Sequence, residues 1–553
     1  MKNIKKEEPG MKKILALALA LVMLLSALPA LAELAAPGVY PISAEKKELS
    51  VWTALPVDVE NAETNYENQY VEELLNVDIT WTTANSSEMA EKFNLALASP
   101  DRPDVFLNSI STDEVVLYAE DGVILPLEDL IDQHTVHIKK LLDETPGLRE
   151  QLTAPDGHIY QLFNYRFLAH EATPKMFVYK PYREAYTAAT GKGLPTTLEE
   201  FKEMLIFFRD NDMNGNGKQD EIPLTGTYHY GTAGQDPIYW IANAFVDLNP
   251  MKETYFMPNG DGTFSCVATT DEFRTALQYA NELYNEKLLV EDTYVQDLFQ
   301  FRSLTSVPKD TLTVCVAAAP YYFRLQTYNA DPLYTQWNEW EVILPLERAD
   351  GSRHIASGYE LSLSPRTFIT SNCDNPEVAI RWLDYFYSEE GRSWANFGGK
   401  ENVHWGWVEA PSFGGSDKSV KVLVERGTTQ NYFFSQGWGP NTYATRSDYD
   451  AKAAADTATD GNLMAVLAQD AYAPYVTYST VPQITWCTDQ DLLDERADLK
   501  TAIDPKLIEY ATNFIMGRLD VNDDAVWEAF KADLEGMGLS RLIELHNAYY
   551  YGE

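Results

Sequence analysis

The segment Asp212 to Glu221 reads Asp-Met-Asn-Gly-Asn-Gly-Lys-Gln-Asp-Glu, and its residue types and spacing suit metal chemistry. Side-chain oxygens stand at loop positions one, three, five and nine, on Asp212, Asn214, Asn216 and Asp220, with Gly217 at position six. Hard oxygens at those positions, around a glycine that permits a sharp turn, make up the first three-quarters of an EF-hand calcium loop. Lys218, at position seven, offers its backbone carbonyl in such a loop. The pattern then departs. Position twelve, where a bidentate Glu belongs, is Pro223, and Glu221 at position ten is the nearest replacement. An Asn-Gly-Asn-Gly run also suits a plain solvated turn, but five oxygen donors in register favour an ion. Asp212, Asn214, Asn216, Lys218, Asp220 and Glu221 are therefore the expected ligands of one Ca²⁺. Its expected role is structural, because a site filled with protein oxygens leaves no reactive position.

Catalytic motifs are missing from the sequence. No G-x-S-x-G, P-loop, G-x-G-x-x-G or H-E-x-x-H run occurs. His134 and His137 are the only close histidine pair and lack a third ligand. A glycosidase needs two carboxylates at a set separation in a cleft, and no motif marks such a pair. Asp520-Val521-Asn522-Asp523-Asp524 lacks the loop glycine and precedes an apolar run, so it reads as a helix N-cap. Pro258 to Gly262 reads as a hairpin turn.

Aromatic residues form the second signal. The chain has 12 Trp and 33 Tyr, several beside glycines and polar groups, as in His404-Trp405-Gly406-Trp407, Gly437-Trp438-Gly439 and Tyr239-Trp240. Flat amphipathic rings stack on the C–H faces of sugars while polar neighbours bind hydroxyls. Trp240, Trp405, Trp407 and Trp438 are the expected platforms. Trp52 and Asn108 join them as residues near the ends of parallel strands, where open α/β sheets bind ligands. Tyr228, just after the calcium loop, and Tyr359 complete the expected set.

The elements that must position these residues follow from periodicity. Leu49 to Trp52 and Val77 to Trp81 read as strands, with a helix from Asn65 to Leu75 between them. Met89 to Leu97 reads as a helix and Pro103 to Asn108 as a buried strand. This βαβαβ rhythm implies a parallel sheet covered by helices. A second sheet is expected to begin at Lys175 to Tyr179 and to include Thr313 to Ala317. Between them a helix follows Thr197, apolar at Leu198, Phe201, Leu205 and Phe208, with a capping box pairing Thr196 or Thr197 with Glu199 or Glu200. A helix is also expected from Pro376 to Ser388, and the tail from Asp491 is mostly helical.

Thr196 to Phe201, the helix after it and the calcium loop resemble the extracellular solute-binding proteins of ABC importers, in the branch that holds alginate- and other oligosaccharide-binding members. Asp156 to Tyr160, Ser388 to Gly391 with Asn396 to Gly398, and Phe514 to Gly517 with Trp527 and Gly536 to Leu539 extend the resemblance. It implies an α/β, periplasmic-binding-protein-like fold of two discontinuous lobes joined by a hinge, with a helical C-terminal region. Residues 33–165 plus 356–400 would form lobe 1, and 166–355 plus 401–553 lobe 2. The implied function is capture of a small, neutral oligosaccharide in the interlobe cleft and delivery to an ABC transporter permease, by a monomer that is not an enzyme. The competing readings are a secreted carbohydrate-active enzyme and a ligand-sensing accessory protein.

Bulk properties agree. The length of 553 residues exceeds one ordinary core. A net charge of −40 argues against nucleic acid and anionic lipid as partners, since both need basic surfaces. Lys12-Lys13, the apolar run Ile14 to Leu25 and Ala30-Leu31-Ala32 form a secretory signal over residues 1–32, cleaved before Glu33. The protein is thus expected to be exported, with no lipid-anchor cysteine visible, as the first cysteine is Cys266. Cys266, Cys315, Cys373 and Cys487 lie too far apart for metal spacing and allow up to two disulfides or free thiols.

Overall fold

The computed structural model describes residues 34–552 apart from 57–58, 86–87, 108–111, 167–172, 228–234, 250–252, 254, 328–330, 359–361, 424–438, 455–460 and 480. The expected signal segment, Asn108, Tyr228, Tyr359 and Trp438 lie outside the described residues.

Six strands form the first sheet: β1 (Lys47–Leu55), β2 (Val77–Asn85), β3 (Val105–Phe106), β4 (Leu162–Arg166), β12 (Ser362–Ile369) and β15 (Tyr443–Ala444). Their spatial order is β15-β4-β12-β3-β1-β2, and only β12 runs against the others. The centre of β1 is buried continuously from Val51 to Ala54, as befits a strand covered on both faces. β2 alternates buried and exposed residues because it forms the edge. Asn65 caps the helix Tyr66–Leu75 by accepting the N–H groups of Glu67 and Asn68. The expected strand Pro103 to Asn108 shrinks to Val105–Phe106. Asp104 Oδ2 instead accepts Ser50 N–H at 2.7 Å and Ser50 Oγ–H at 2.8 Å.

A second, four-stranded sheet contains β5 (Lys175–Tyr179), β6 (Ile222–Thr225), β9 (Val314–Ala319) and β10 (Trp340–Ile343), in the order β10-β5-β9-β6 with β5 antiparallel to the rest. The helix Leu198–Asp210 packs Phe201, Met204, Leu205 and Phe208 into this lobe's core. At its start Thr197 accepts Glu200 N–H, while Glu200 Oε2 accepts the N–H of Thr196, one residue before the cap, at 2.8 Å, a variant of the expected capping box. The C-terminal helices Gln490–Ile515, Asp524–Gly536 and Leu539–Tyr551 join the same core through Phe514, Trp527 and Leu542. Three two-stranded ladders complete the strands: β7 (Phe256–Pro258) with β8 (Phe264–Cys266), β11 (Ile355–Ser357) with β16 (Val476–Tyr478), and β13 (Trp405–Val408) with β14 (Ser419–Val422). The turn at Pro258 to Gly262 is a hairpin as expected, and Asp523 caps its helix by accepting Ala525 N–H at 2.8 Å. No disulfide forms among the described residues, and Cys266, Cys315 and Cys373 are buried.

The helix expected to reach Ser388 ends at Tyr385, because Ser388 caps the next helix, Glu389–Phe397, by accepting Gly391 N–H at 3.1 Å. Residues 401–553 do not all belong with the second sheet: β15 pairs with β4.

Strand direction fixes how the sheets face. The chain leaves the carboxyl end of β4 at Arg166 and enters β5 at Lys175, which lies level with Ala319, the carboxyl end of β9. It returns from the carboxyl end of β10 through β11 to Ser362, which pairs with Arg166. Both crossings therefore join carboxyl edge to carboxyl edge, and the two edges bound a cleft. A third segment, β16, runs beside β11, and the crossings meet at Ser357. Its Oγ lies 2.6 Å from Thr173 Oγ1, and its carbonyl accepts Ser479 N–H at 3.0 Å. This short braid of extended segments connects the two sheets.

Candidate ligand cleft and calcium loop

On the second sheet, the cleft edge gathers the residues that follow β6 and β9. Gly226 leads the chain away from β6 so tightly that a Cβ there would lie 2.0 Å from the carbonyl oxygen of Gln235. Thr227 N–H donates to that carbonyl at 3.0 Å. Gln296 donates to Thr225 Oγ1 at 3.0 Å and to Gly226 O at 2.6 Å, which fixes the next segment to the strand end. Asp236 caps the helix Pro237–Ile241, and burial pushes its carboxyl up to about 7. Lys175 donates to the carbonyls of Thr173 and Pro320 at 3.2 and 3.1 Å, and burial brings its ammonium down to about 7. Thr227 Oγ1, Gln235 Oε1 and Tyr294 Oη are buried with no hydrogen-bond partner among the described residues. Buried polar atoms are nearly always paired in folded proteins, so such atoms beside a cleft are ready to meet a polar ligand.

At the first sheet's end, a cavity of about 600 Å³ opens beyond the carboxyl end of β15. Trp405, Trp407 and Phe397 form its aromatic wall, with Glu389, Lys400 and Glu401 among its polar groups. Arg392 crosses its base to Asp448, Nη1 to Oδ1 at 2.6 Å. Two tryptophans of the sequence reading are thus brought together, in unequal roles. Trp405 is 3% exposed, packs on Phe397 at 4.8 Å between ring centroids and donates Nε1–H to Gly399 O at 2.7 Å. Trp407 leaves 50% of its surface open.

Trp52 and Trp240 are not platforms. β1 continues to Leu55, so Trp52 sits inside the strand, 1% exposed, against Phe93 and Phe106 at 5.1 and 5.8 Å. Trp240 packs on Phe201 at 5.3 Å and donates Nε1–H to Tyr472 Oη at 3.0 Å. A fully buried indole with its N–H satisfied is core. Thr227, Gln235 and Asp236 were not foreseen from the sequence. Their signal was positional, a Thr-Gly-Thr run directly past a buried strand, and it needs the sheet to be read.

No protein-family model matches the chain. The fructooligosaccharide ABC transporter substrate-binding protein FusA of Streptococcus pneumoniae serotype 4 is 25% identical over 520 residues, covering 92% of this chain and 90% of FusA. Over nine-tenths of its length the chain is thus similar to a substrate-binding protein of an ABC transporter. FusA solved in complex with kestose superposes with a TM-score of 0.67 at 23% identity, over 91% of this chain and 99% of that one. A solute-binding protein of Bifidobacterium longum infantis, described as binding HMO, gives a TM-score of 0.70 at 17% identity, over 91% and 98%. Alginate-binding protein AlgQ2, solved without calcium ion, gives 0.60 at 18% identity, over 92% and 98%. FusA has also been solved as an EF-hand mutant.

In this chain the loop after the helix Leu198–Asp210 is wound around its own acidic residues. Asp212 Oδ1 accepts Gly215 and Asn216 N–H at 2.8 and 3.1 Å, and Oδ2 accepts Gly217 N–H at 2.7 Å. Asn214 and Asn216 Oδ1 accept the N–H groups of Asn216 and Lys218 at 3.0 and 2.7 Å. Gly215 and Gly217 hold φ of +75° and +79°, where a side chain would be strained. Asn216 Nδ2 reaches Asp220, and Glu221 Oε1 accepts Met213 N–H at 2.6 Å. Glu221 Oε2 is buried with no hydrogen-bond partner among the described residues. No three Asp, Glu, His or Cys side chains converge among the described residues, so amide and peptide oxygens must complete a donor set. An orphaned buried carboxylate oxygen beside hard oxygen donors fits a divalent cation.

Proposed function

We propose that this chain is an exported solute-binding protein that captures an oligosaccharide in the cleft between its lobes and delivers it unchanged to an ABC transporter permease. The observation that carries the reading is the pair of carboxyl edges brought face to face by hinge crossings at Ser357, with unsatisfied polar atoms at one edge and the Trp407 cavity beside the other. Closure of two lobes on such a hinge buries a ligand between them. The FusA likeness over nine-tenths of both chains supports the oligosaccharide class. The lobes are taken as residues 33–165 plus 356–400, joined by the strands Trp405–Val408 and Tyr443–Ala444, and 166–355 plus the rest of 401–553. The working unit is a monomer without affinity for nucleic acid.

The loop Asp212 to Glu221 holds one Ca²⁺ on Asp212, Asn214, Asn216, Asp220, Glu221 and the Lys218 carbonyl. Thr227 lies five positions beyond Ile222, up to about 17 Å at 3.4 Å per residue, so the ion braces the lobe without touching ligand. Among the described residues no helix is long and apolar enough to cross a membrane. The test is titration calorimetry of the mature chain against an oligosaccharide panel, followed by chromatography of the tightest ligand after incubation. Saturable binding with the ligand recovered intact supports the reading. Released product above a buffer control moves the protein to the hydrolases.

A further inference from the structure

Resting on that solute-binding reading, we infer that the ligand carries an acidic group, recognised by the neighbouring guanidinium groups of Arg302 and Arg324 at the cleft edge of the second sheet. Arg302 lies on the helix Leu298–Thr305, which begins two residues after Gln296 is bonded to the end of β6. Arg324 lies on the turn Tyr322–Leu325, just past the end of β9, and its carbonyl accepts the Gln235 amide. Thr305 Oγ1 donates to Leu325 O at 2.5 Å and locks the two elements side by side.

Neither arginine has a carboxylate within 4.0 Å among the described residues, in a chain with 83 acidic and 43 basic residues. Arg183, Arg392 and Arg496, similarly or more deeply covered, are each paired with a carboxylate. Arg324 Nε–H instead reaches a neutral group, Tyr321 Oη at 3.2 Å, and Arg302 Nε is buried with no partner among the described residues. Burial, and then the charge of Arg324, hold the Arg302 guanidinium below its ordinary range. Two half-buried like charges are disfavoured unless an anion joins them. A planar fork of N–H donors matches the oxygens of a carboxylate, sulfate or phosphate. The acidic surface elsewhere does not prevent this, because charges beyond about 8 Å are largely screened at physiological salt. Thr227 Oγ1 and Gln235 Oε1 then remain for sugar hydroxyls.

The experiment measures affinities of the full mature chain for matched probes: sialyllactose, sulfated lactose and phosphorylated lactose against lactose, and digalacturonate against its methyl ester. At least one acidic member is expected to bind ten- to a hundredfold tighter than its neutral parent, the range for a charge-assisted hydrogen bond. That advantage should shrink with added salt. Arg302→Gln and Arg324→Gln should each reduce it without lowering the melting temperature. The member that gains identifies the anion as carboxylate, sulfate or phosphate. Binding of neutral parents with no gain for acidic members overturns this inference and leaves the oligosaccharide reading standing, as does a gain that survives Arg302→Gln with Arg324→Gln. Binding of no probe of either kind, nor of any glycan on a wider panel, overturns the oligosaccharide reading itself.

Discussion

Trp405 and Trp407 stand two residues apart on β13, with ring centroids 6.3 Å apart, yet opposite outcomes are expected on replacing them with alanine. Trp407 has half its surface in water. A tryptophan offers up to about 250 Å². Roughly 100 Å² of Trp407 can therefore be covered by ligand, worth about 2.5 kcal/mol at 25 cal/mol per Å². Ordering the ligand and ring takes back part of that, so Trp407→Ala should weaken binding by about tenfold to sixtyfold while melting stays within about 2 °C. Trp405 is closed in by Phe397 and bonded to Gly399 O. Its truncation should cost about 3–5 kcal/mol of fold stability, or roughly 6–20 °C of melting temperature. Affinity measured well below melting should be nearly unchanged. Titration calorimetry and differential scanning calorimetry on both variants separate the two effects. Full affinity in Trp407→Ala would remove the cavity from the ligand site. Lost affinity at unchanged stability in Trp405→Ala would reverse the assignment.

Chelation should lower the melting temperature, since an ion at 100-fold excess over its dissociation constant contributes about 2.7 kcal/mol; Asp212→Ala should abolish the response, and an unchanged curve with no calcium in metal analysis would refute the loop assignment. Two buried groups set opposing pH slopes. Asp236, raised to about 7, keeps a proton that the unfolded chain loses near pH 4, so its stabilising contribution fades as pH rises from about 4 to about 7. Lys175, lowered to about 7, is neutral in the fold while the unfolded chain holds its proton to about pH 10.5, so its contribution grows from about pH 7 upward. Denaturant titrations across pH should show each limb flatten in Asp236→Asn and Lys175→Met respectively, and slopes that persist in both would refute the burial argument. Glu253 is 5% exposed and joins Arg496, Lys500, His546 and Tyr550 across the C-terminal helices. Glu253→Gln should destabilise by about 3–5 kcal/mol, because cations remain buried without their counter-charge; a chemical-denaturation midpoint within error of the parent would contradict this.

Local chemistry was legible in the sequence wherever short-range rules decide. The helix caps at Thr197 and Asp523, the hairpin at Pro258 to Gly262 and the oxygen spacing of Asp212 to Glu221 depend on residues a few positions apart. The covered strands β1, β5 and β9 announced themselves as apolar runs. What the sequence could not supply was which aromatic ring faces water. Trp52, Trp240, Trp405 and Trp407 look alike in sequence, each beside polar or small neighbours. Their fates diverge because Phe93, Phe201 and Phe397 close over three of them from distant segments, while nothing covers half of Trp407. The Arg302 and Arg324 pair was hidden for the same reason, since a guanidinium without a counter-charge is defined by every carboxylate that fails to reach it. Burial and charge pairing are sums over the whole folded chain, so only the tertiary structure decides them.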